Sequence, residues 1–347
     1  MEPVIRAAEQ FGFHEAFFDS LTEGLIHQTY KVTLGNKSII LQQVNGKVFP
    51  DIELVINNYK VVYNYSRNHE QSVPAMINTT NNQAFWIDEH GSYWRAFEYL
   101  PNTYTEALPA DPQKVFNAAK CYGEFTQALS GLNADQLKPA IPGFHDLSNR
   151  YHQLKHALHS AKAERLEKSK SILEKIEQRN YLVNFYINIK SNPEFRLRAM
   201  HHDTKLSNIL FDKTSGLPVC PIDLDTVMPG YFFSDVGDMV RSMVSSRDEN
   251  DQAGSGMINE EIYNAILSGY QNGIGNSFTQ TENKHIHHAG MIMLYMQGIR
   301  FLTDYLNNDS YYRIDHPEQN FNRALNQIMV LEKLEEFLQR EYQYKAK

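Results

Sequence analysis

The chain has 347 residues, enough for one large domain or two smaller ones with separate cores. With 33 Lys and Arg against 41 Asp and Glu it carries a net charge of −8, which argues against the basic footprint of a nonspecific nucleic-acid binder but leaves anionic small ligands open to local groups. Two cysteines, Cys121 and Cys220, are too few for a disulfide framework or a cysteine metal cluster, and no run approaches the roughly eighteen apolar residues of a spanning helix.

The opening "MEPVIRAAEQFGFHEAFFDS" lacks the basic start and apolar run of a signal peptide, so a cytoplasmic protein is expected, with no membrane partner. Four runs rich in β-branched and aromatic residues then follow: Leu25–Leu34, Lys37–Val44, Gln83–Asp88 and Ser92–Leu100. Turn formers bound them, at Gly35-Asn36, Asn81-Asn82 and Glu89-His90-Gly91. A helical stretch from Asp51 to Asn68 lies between the second and third runs. These pieces predict a small sheet with one helix over residues 1–100.

After Pro101 the pattern becomes helical. Asp111-Pro112 is a helix start, apolar positions run from Val115 to Leu129, and Gly131 is the expected stop. Arg150 to Lys190 is a long, heavily charged helical region, and its middle, "KAERLEKSKSILEKIEQRN" (Lys162–Asn180), reads as a solvated helical pair or insertion. Further helices are expected near Ile262–Tyr270, His288–Leu306 and Phe321–Tyr342. The outline is α+β: a β-rich lobe over 1–100, a connector at Glu98–Thr105, and a larger helical lobe over 101–347. A cleft between two such lobes is a common ligand site.

The chemistry concentrates in "MHHDTKLSNILFD" and the residues up to Asp225. An apolar triplet (Ile209-Leu210-Phe211), a turn ("DKTSGLP") and a second run ("VCPID") read as a hairpin that returns Asp223 beside Asn208. Three oxygen-bearing side chains, Asp203, Asn208 and Asp223, then share one end of it. Phosphoryl transfer needs that set: a carboxylate to orient the acceptor hydroxyl and take its proton, and an amide oxygen with a second carboxylate to hold magnesium on the nucleotide. The spacing H-x-D-x-K-x-x-N, at His201, Asp203, Lys205 and Asn208, is that of a kinase catalytic loop. Asp203 takes the base position, Asn208 and Asp223 the metal positions, and Lys205 meets the transferred phosphate.

Two competing readings are weaker. A plain polar turn would not require both motifs in this order at a hairpin's spacing. Zinc would have to use "HHD" or the later "HIHH" (His285–His288), but adjacent histidines point apart and no H-E-x-x-H or cysteine pair supports them, so His285–His288 is expected as a surface cluster at a helix start. Farther on, Ser234 is a candidate N-cap, and Asp235 and Asp238 are either helix-dipole carboxylates or a brace for the catalytic loop.

With these residues assembled, the chain resembles the aminoglycoside phosphotransferase and choline kinase superfamily, small-molecule kinases with a protein-kinase-like fold. "HHDTKLSNILFD" and "PIDLDTVMPGYFFSDVGDMVRS" carry the resemblance. Within it, "EGLIHQTYKV", "IILQQVN", "FHDLSNRY", "DTKLSNILFD" and "IDLDTVMPG" are similar to bacterial N-acetylhexosamine 1-kinases over nearly the whole chain. The resemblance implies ATP and Mg2+ as cofactors and a sugar hydroxyl as acceptor, the anomeric one if the closer likeness holds. Choline, ethanolamine, homoserine or an aminoglycoside are the alternative acceptors, and a non-catalytic binding protein is the third reading.

Departures accompany the likeness. Where many kinases carry a lysine on the third strand, "SIILQQVN" offers Gln42 or Gln43, which bring no charge. Gly24 stands alone where a glycine-rich loop would cover the phosphates. The metal triplet reads Asp223-Leu224-Asp225, so Asp225 either joins the metal or supports it. His202 in place of arginine before Asp203, with no A-P-E element, argues against a protein kinase. The adenine is expected against the connector at Glu98, Tyr99 and Leu100. Tyr104, Asp146, Tyr231, Arg300 and Asp304 are the acceptor candidates.

Overall fold

The computed structural model describes residues 2–21, 26–68, 73–109, 111–245 and 257–344. Helix α1 (Glu2–Gln10) and strands β1 (Phe17–Leu21), β2 (Gln28–Leu34) and β3 (Lys37–Gln43) open the chain, followed by α2 (Ile52–Arg67), β4 (Met76–Ile77), β5 (Trp86–Ile87) and β6 (Tyr93–Glu98). The strands form one antiparallel sheet in the order β1-β2-β3-β6-β4, with β5 also on β6. The period-2 pattern of these runs sets one face against α1, where Val4, Ala8, Val32, Leu41, Trp94 and Ala96 make a core. Asp51 starts α2 as expected, its carboxylate accepting from the Leu54 N–H at 2.9 Å.

Two expectations for this lobe change, and a third falls on residues that are not described. The run Gln83–Asp88 contracts to the two residues of β5, because its flanking turns take the other backbone groups. Of the described residues of the first run, those from Gln28 on pair with β3. Gly24 lies outside the described residues.

The larger lobe holds β7 (Thr103–Tyr104), α3 (Pro112–Ala128), α4 (Leu147–Ser160), α5 (Ala163–Glu177), α6 (Tyr181–Ser191), β8 (Arg198–Met200), β9 (Ile209–Asp212), β10 (Pro218–Pro221) and β11 (Met228–Gly230). It ends with α7 (Phe233–Met243), α8 (Glu260–Ile274), α9 (Gln280–Lys284), α10 (His288–Leu306) and α11 (Gln319–Tyr342). Helix α10 runs through the centre, nearly every residue buried, which is why its sequence is apolar on all sides. The fold is α+β with a small sheet lobe and a larger helical one.

The charged middle of the stretch, Lys162–Asn180, is not a solvated insertion, since Ile172 and Ile176 are core residues. The whole stretch from 150 to 190 forms three helices, α4 to α6, that send Leu154, Ile172, Ile176 and Leu182 into the main core, while Arg165 pairs with Asp309 and Lys175 with Glu332. Helix α3 stops at Ala128, before Gly131. Gly131 instead permits a close approach. A Cβ there would lie 2.4 Å from the Tyr65 hydroxyl, so a larger residue would have to push that side chain aside. His285–His288 is at a helix start but not on the surface. His288 is buried, stacked 3.8 Å from Phe185, and His287 hydrogen-bonds the Tyr263 hydroxyl at 2.7 Å.

Candidate active site

The loop from His201 to Asn208 leaves β8 and enters β9, and its shape is imposed from α7. The Asp235 carboxylate accepts the N–H groups of His201 (3.2 Å) and His202 (2.8 Å), and Asp238 accepts that of Thr204 (2.8 Å). The Thr204 hydroxyl donates to the Asp235 carbonyl at 2.7 Å. Both aspartates therefore brace the loop. Ser234 is no cap: it sits inside α7, whose preceding residue is Phe232. Burial pushes Asp235 and Asp238 up, opposed at Asp235 by His201 and at Asp238 by Arg241. His202 adopts φ +68°, a left-handed conformation, and its ring occupies the place of a Gly230 side chain, since a Cβ there would lie 2.5 Å from Nε2. Burial lowers His202 to about 4, so it is neutral near pH 7.

Asp203 is held by two donors. Lys205 Nζ lies 3.1 Å and Asn208 Nδ2 2.9 Å from Oδ2. Burial alone would raise this carboxyl; Lys205, then His201, outweigh it and leave Asp203 below the usual carboxylate range. The Asp203 N–H donates to His201 Nδ1 at 3.3 Å, so Nε2 carries the ring proton and donates to the Ile222 carbonyl at 2.9 Å. The Ile222 N–H in turn donates to the Asn208 carbonyl at 2.9 Å. Strands β9 and β10 pair as the expected hairpin, and these bonds extend it until Asp223 stands beside Asn208.

Asp223 is itself in the left-handed region, φ +60° and ψ 56°. Burial, then the charges of Asp225 and Asp203, raise it to about 6. Its carboxylate and the Asn208 Oδ1 accept no hydrogen bond from a described residue. Two oxygen donors without hydrogens, one on a carboxylate crowded by like charge, fit a hard divalent cation.

Asp225, expected either to join the metal or to support it, is bonded from the small lobe. Arg95, on β6, grips it with two bonds of 2.7 Å, and His27 Nε2 donates at 2.8 Å. The tautomer follows from the Asn45 N–H, which donates to His27 Nδ1 at 3.1 Å. Arg95 and Asp225 are 1% and 2% exposed, and the contact ties the small lobe to the end of the hairpin. Burial alone would raise Asp225; Arg95 and His27 overcome it and hold it well below the carboxylate range. One ligand atom each from His27, Asp223 and Asp225 lie within 4.8 Å of one another.

Gln42 belongs to this network. It faces Arg95 across β3 and β6, accepts from Arg95 Nε (3.1 Å) and Nη2 (2.9 Å), and donates to Thr29 at 3.2 Å. The cation missing from β3 is thus present one strand away, facing the hairpin. Arg95 was missed by sequence reasoning, yet a charged residue amid the apolar "WRAFE" strand signals a buried partner. His27 was passed over within "EGLIHQTYKV".

The remaining candidates are each engaged by a neighbour. Glu98, at the end of β6, accepts the Ala75 N–H at 3.0 Å; Tyr99 lies under Lys31, 4.5 Å from Nζ; and the Leu100 carbonyl accepts from Thr103 at 2.7 Å. Tyr104 pairs with Phe211 in the hairpin sheet, with its ring 5.7 Å from that of Phe211, so it is packed at the strand end away from Asn208. Tyr231 is half-buried and stacks 6.3 Å from Phe233. Arg300 covers Phe144 at 5.3 Å. Asp146 caps α4 and pairs with Lys190, while Asp304 accepts from the N–H groups of Tyr311 and Tyr312 and from Asn320, so both acids are engaged in holding the fold.

Solved structures with the same arrangement of lobes include a spectinomycin phosphotransferase in complex with ADP and spectinomycin (14% identity, TM-score 0.56, 96% of this chain and 98% of that one). A microcompartment-associated aminopropanol kinase aligns at 15% identity and TM-score 0.58 over 98% of each chain. A choline kinase from Streptococcus pneumoniae aligns at 11% identity and TM-score 0.59, over 96% of this chain and 99% of that one. At these identities the likeness concerns the fold. Residues 19–270 match the model of the phosphotransferase enzyme family, and this span includes the loop, the hairpin and the Arg95 contact. The chain belongs to the phosphotransferase enzyme family.

Proposed function

We propose that the protein is an ATP- and Mg2+-dependent kinase acting on a sugar hydroxyl, and that the anomeric hydroxyl of an N-acetylhexosamine or related hexose is its acceptor, giving a sugar 1-phosphate. The observation that carries the kinase reading is Asp203 Oδ2 fixed between Lys205 and Asn208, with Asp223 returned to the same end of the hairpin. Asp203, kept ionised, orients the acceptor hydroxyl and takes its proton. Lys205 is positioned to meet the transferred phosphate. Asn208 Oδ1 and Asp223 would hold magnesium, which when bound supplies positive charge to the nucleotide phosphates.

The small lobe over 1–100, with Gln42 and the connector at Glu98–Leu100, takes the nucleotide in this reading; residues 101–347 carry the chemistry and the acceptor. The sugar rests on the sequence resemblance.

The test is ATP consumption with magnesium across free hexoses, N-acetylhexosamines, choline, homoserine and an aminoglycoside, with Asp203→Asn in parallel. Loss of a general base is expected to lower turnover about a hundredfold or more while ATP binding persists. Turnover in Asp203→Asn equal to wild type would remove Asp203 from the base position.

A further inference from the structure

Beside the catalytic loop is a group of side chains that the proposed chemistry does not use. The ring of His145 lies 5.1 Å from that of His202, the residue before Asp203, and stacks on Phe144 at 4.4 Å. Arg300, on α10, places its guanidinium 5.3 Å over Phe144 and 5.7 Å over Tyr312. Arg150, on α4, donates to the Phe144 carbonyl at 3.3 Å and to Gln153 at 3.1 Å. Three separate segments thus bring two guanidiniums to the rim of one aromatic stack.

Neither guanidinium has a carboxylate partner among the described residues; Arg300 bonds only the Gln297 amide, at 2.9 Å. Elsewhere the chain treats inward-facing arginines differently: Arg95, Arg165, Arg179, Arg198 and Arg241 are all ion-paired. Asp146, the acid that acts on Arg150, is held by Lys190 and by the start of α4. Stacking on Phe144 and Tyr312 orders Arg300 but does not neutralise it.

Two nitrogens of the group, His145 Nδ1 and Arg150 Nε, are shielded from solvent and have no hydrogen-bond partner. Buried polar nitrogens in native proteins are nearly always paired, so two together mark a place where a bonding group is missing. The local charge agrees. Burial and then Arg300 depress Arg150, and burial followed by His202 and the arginines depresses His145. In a chain of net charge −8 this concentration of positive charge is a local construction.

We propose that Arg150 and Arg300 form an anion subsite, and that within the related hexoses the acceptor is an acidic one rather than a neutral N-acetylhexosamine, its carboxylate or phosphate bound there while its hydroxyl meets Asp203. The subsite stands on the arginines alone; the placement of the hydroxyl at Asp203 rests on the kinase reading. An acidic sugar has both groups on one small molecule.

Calorimetric titration of the full chain with D-glucuronate, D-glucose 6-phosphate and D-glucose separates the possibilities. One of the anionic sugars is expected to bind about tenfold or more tightly than glucose, the gain of a charge-assisted contact. Preference for glucuronate assigns a carboxylate, and preference for the phosphate ester assigns a phosphate. Arg150→Gln and Arg300→Gln should each remove the preference, while Arg300→Lys retains part of it; unchanged ATP binding and thermal midpoints show that these variants fold. Equal affinity of the wild type for all three sugars overturns the proposal, as does a preference that survives both glutamine variants. ATP turnover with the tighter ligand, compared with Asp203→Asn, is the separate readout. Anion-selective binding without Asp203-dependent turnover would keep the subsite and reject the kinase role.

Discussion

Replacing Arg95 with methionine tests the contact between the lobes. The substitution keeps an unbranched apolar side chain in the core but removes both 2.7 Å bonds to Asp225. Asp225 is 2% exposed and would retain only His27. An uncompensated buried charge of this kind costs about 3–5 kcal/mol. Lys333–Glu336 is a built-in control: its 2.8 Å distance is similar, but its side chains are 47% and 65% exposed, and such pairs contribute about 0–1 kcal/mol. Urea unfolding followed by far-ultraviolet circular dichroism should show a large loss for Arg95→Met and little for Lys333→Met. Adding Asp225→Leu to Arg95→Met should recover much of the loss, because the stranded charge is gone. Equal stability of Arg95→Met and Lys333→Met would refute the reasoning.

Asp235→Ala removes the acceptor for two buried N–H groups of the catalytic loop, each worth about 1–3 kcal/mol when left unpaired. Turnover should fall more than ATP affinity, since the loop carries Asp203; an unchanged turnover number would show that the loop holds its shape without α7. The Asp223 shift sets a pH dependence. Below about 6 this carboxyl takes a proton that magnesium must displace, so the apparent affinity for Mg2+ with ATP should fall about tenfold per pH unit there, and a flat affinity from pH 7 to 5 would contradict the metal assignment. In the metal-free protein the sign is opposite. A carboxyl raised on folding contributes stability below its unfolded pKa and loses it as pH rises through about 6, so this contribution to the denaturation midpoint declines across that window.

Much of the site was legible because it is local. Asp203, Lys205 and Asn208 lie within six residues, and the hairpin that returns Asp223 has short arms and an explicit turn. The division into a sheet lobe and a helical lobe was legible for a similar reason, since period-2 and period-3.6 patterns occupy separate parts of the chain. What stayed hidden depends on distant pairing. Arg95 meets Asp225 across 130 positions, and Asp235 reaches back 34 to the backbone of His201. The charged stretch of α4 to α6 misled because its apolar stripe is narrow: Ile172 and Ile176 are buried while the neighbouring lysines and glutamates dominate the composition. The partners of Asp225 were hidden in the same way, since adjacency to Asp223 says nothing of Arg95 and His27 on the other lobe.

The pairing of β5 with β6 sets Trp86 directly opposite Trp94, and these are the chain's two tryptophans. The Trp94 indole N–H donates to Asp88 at 3.0 Å, and its neighbour in the strand is Arg95. The protein therefore carries a natural optical label on one lobe only. Tryptophan emission follows the sheet, while the helical dichroism comes mainly from the other lobe. On heating, any separation between the two signals would measure how far the lobes melt independently, and Arg95→Met should widen it.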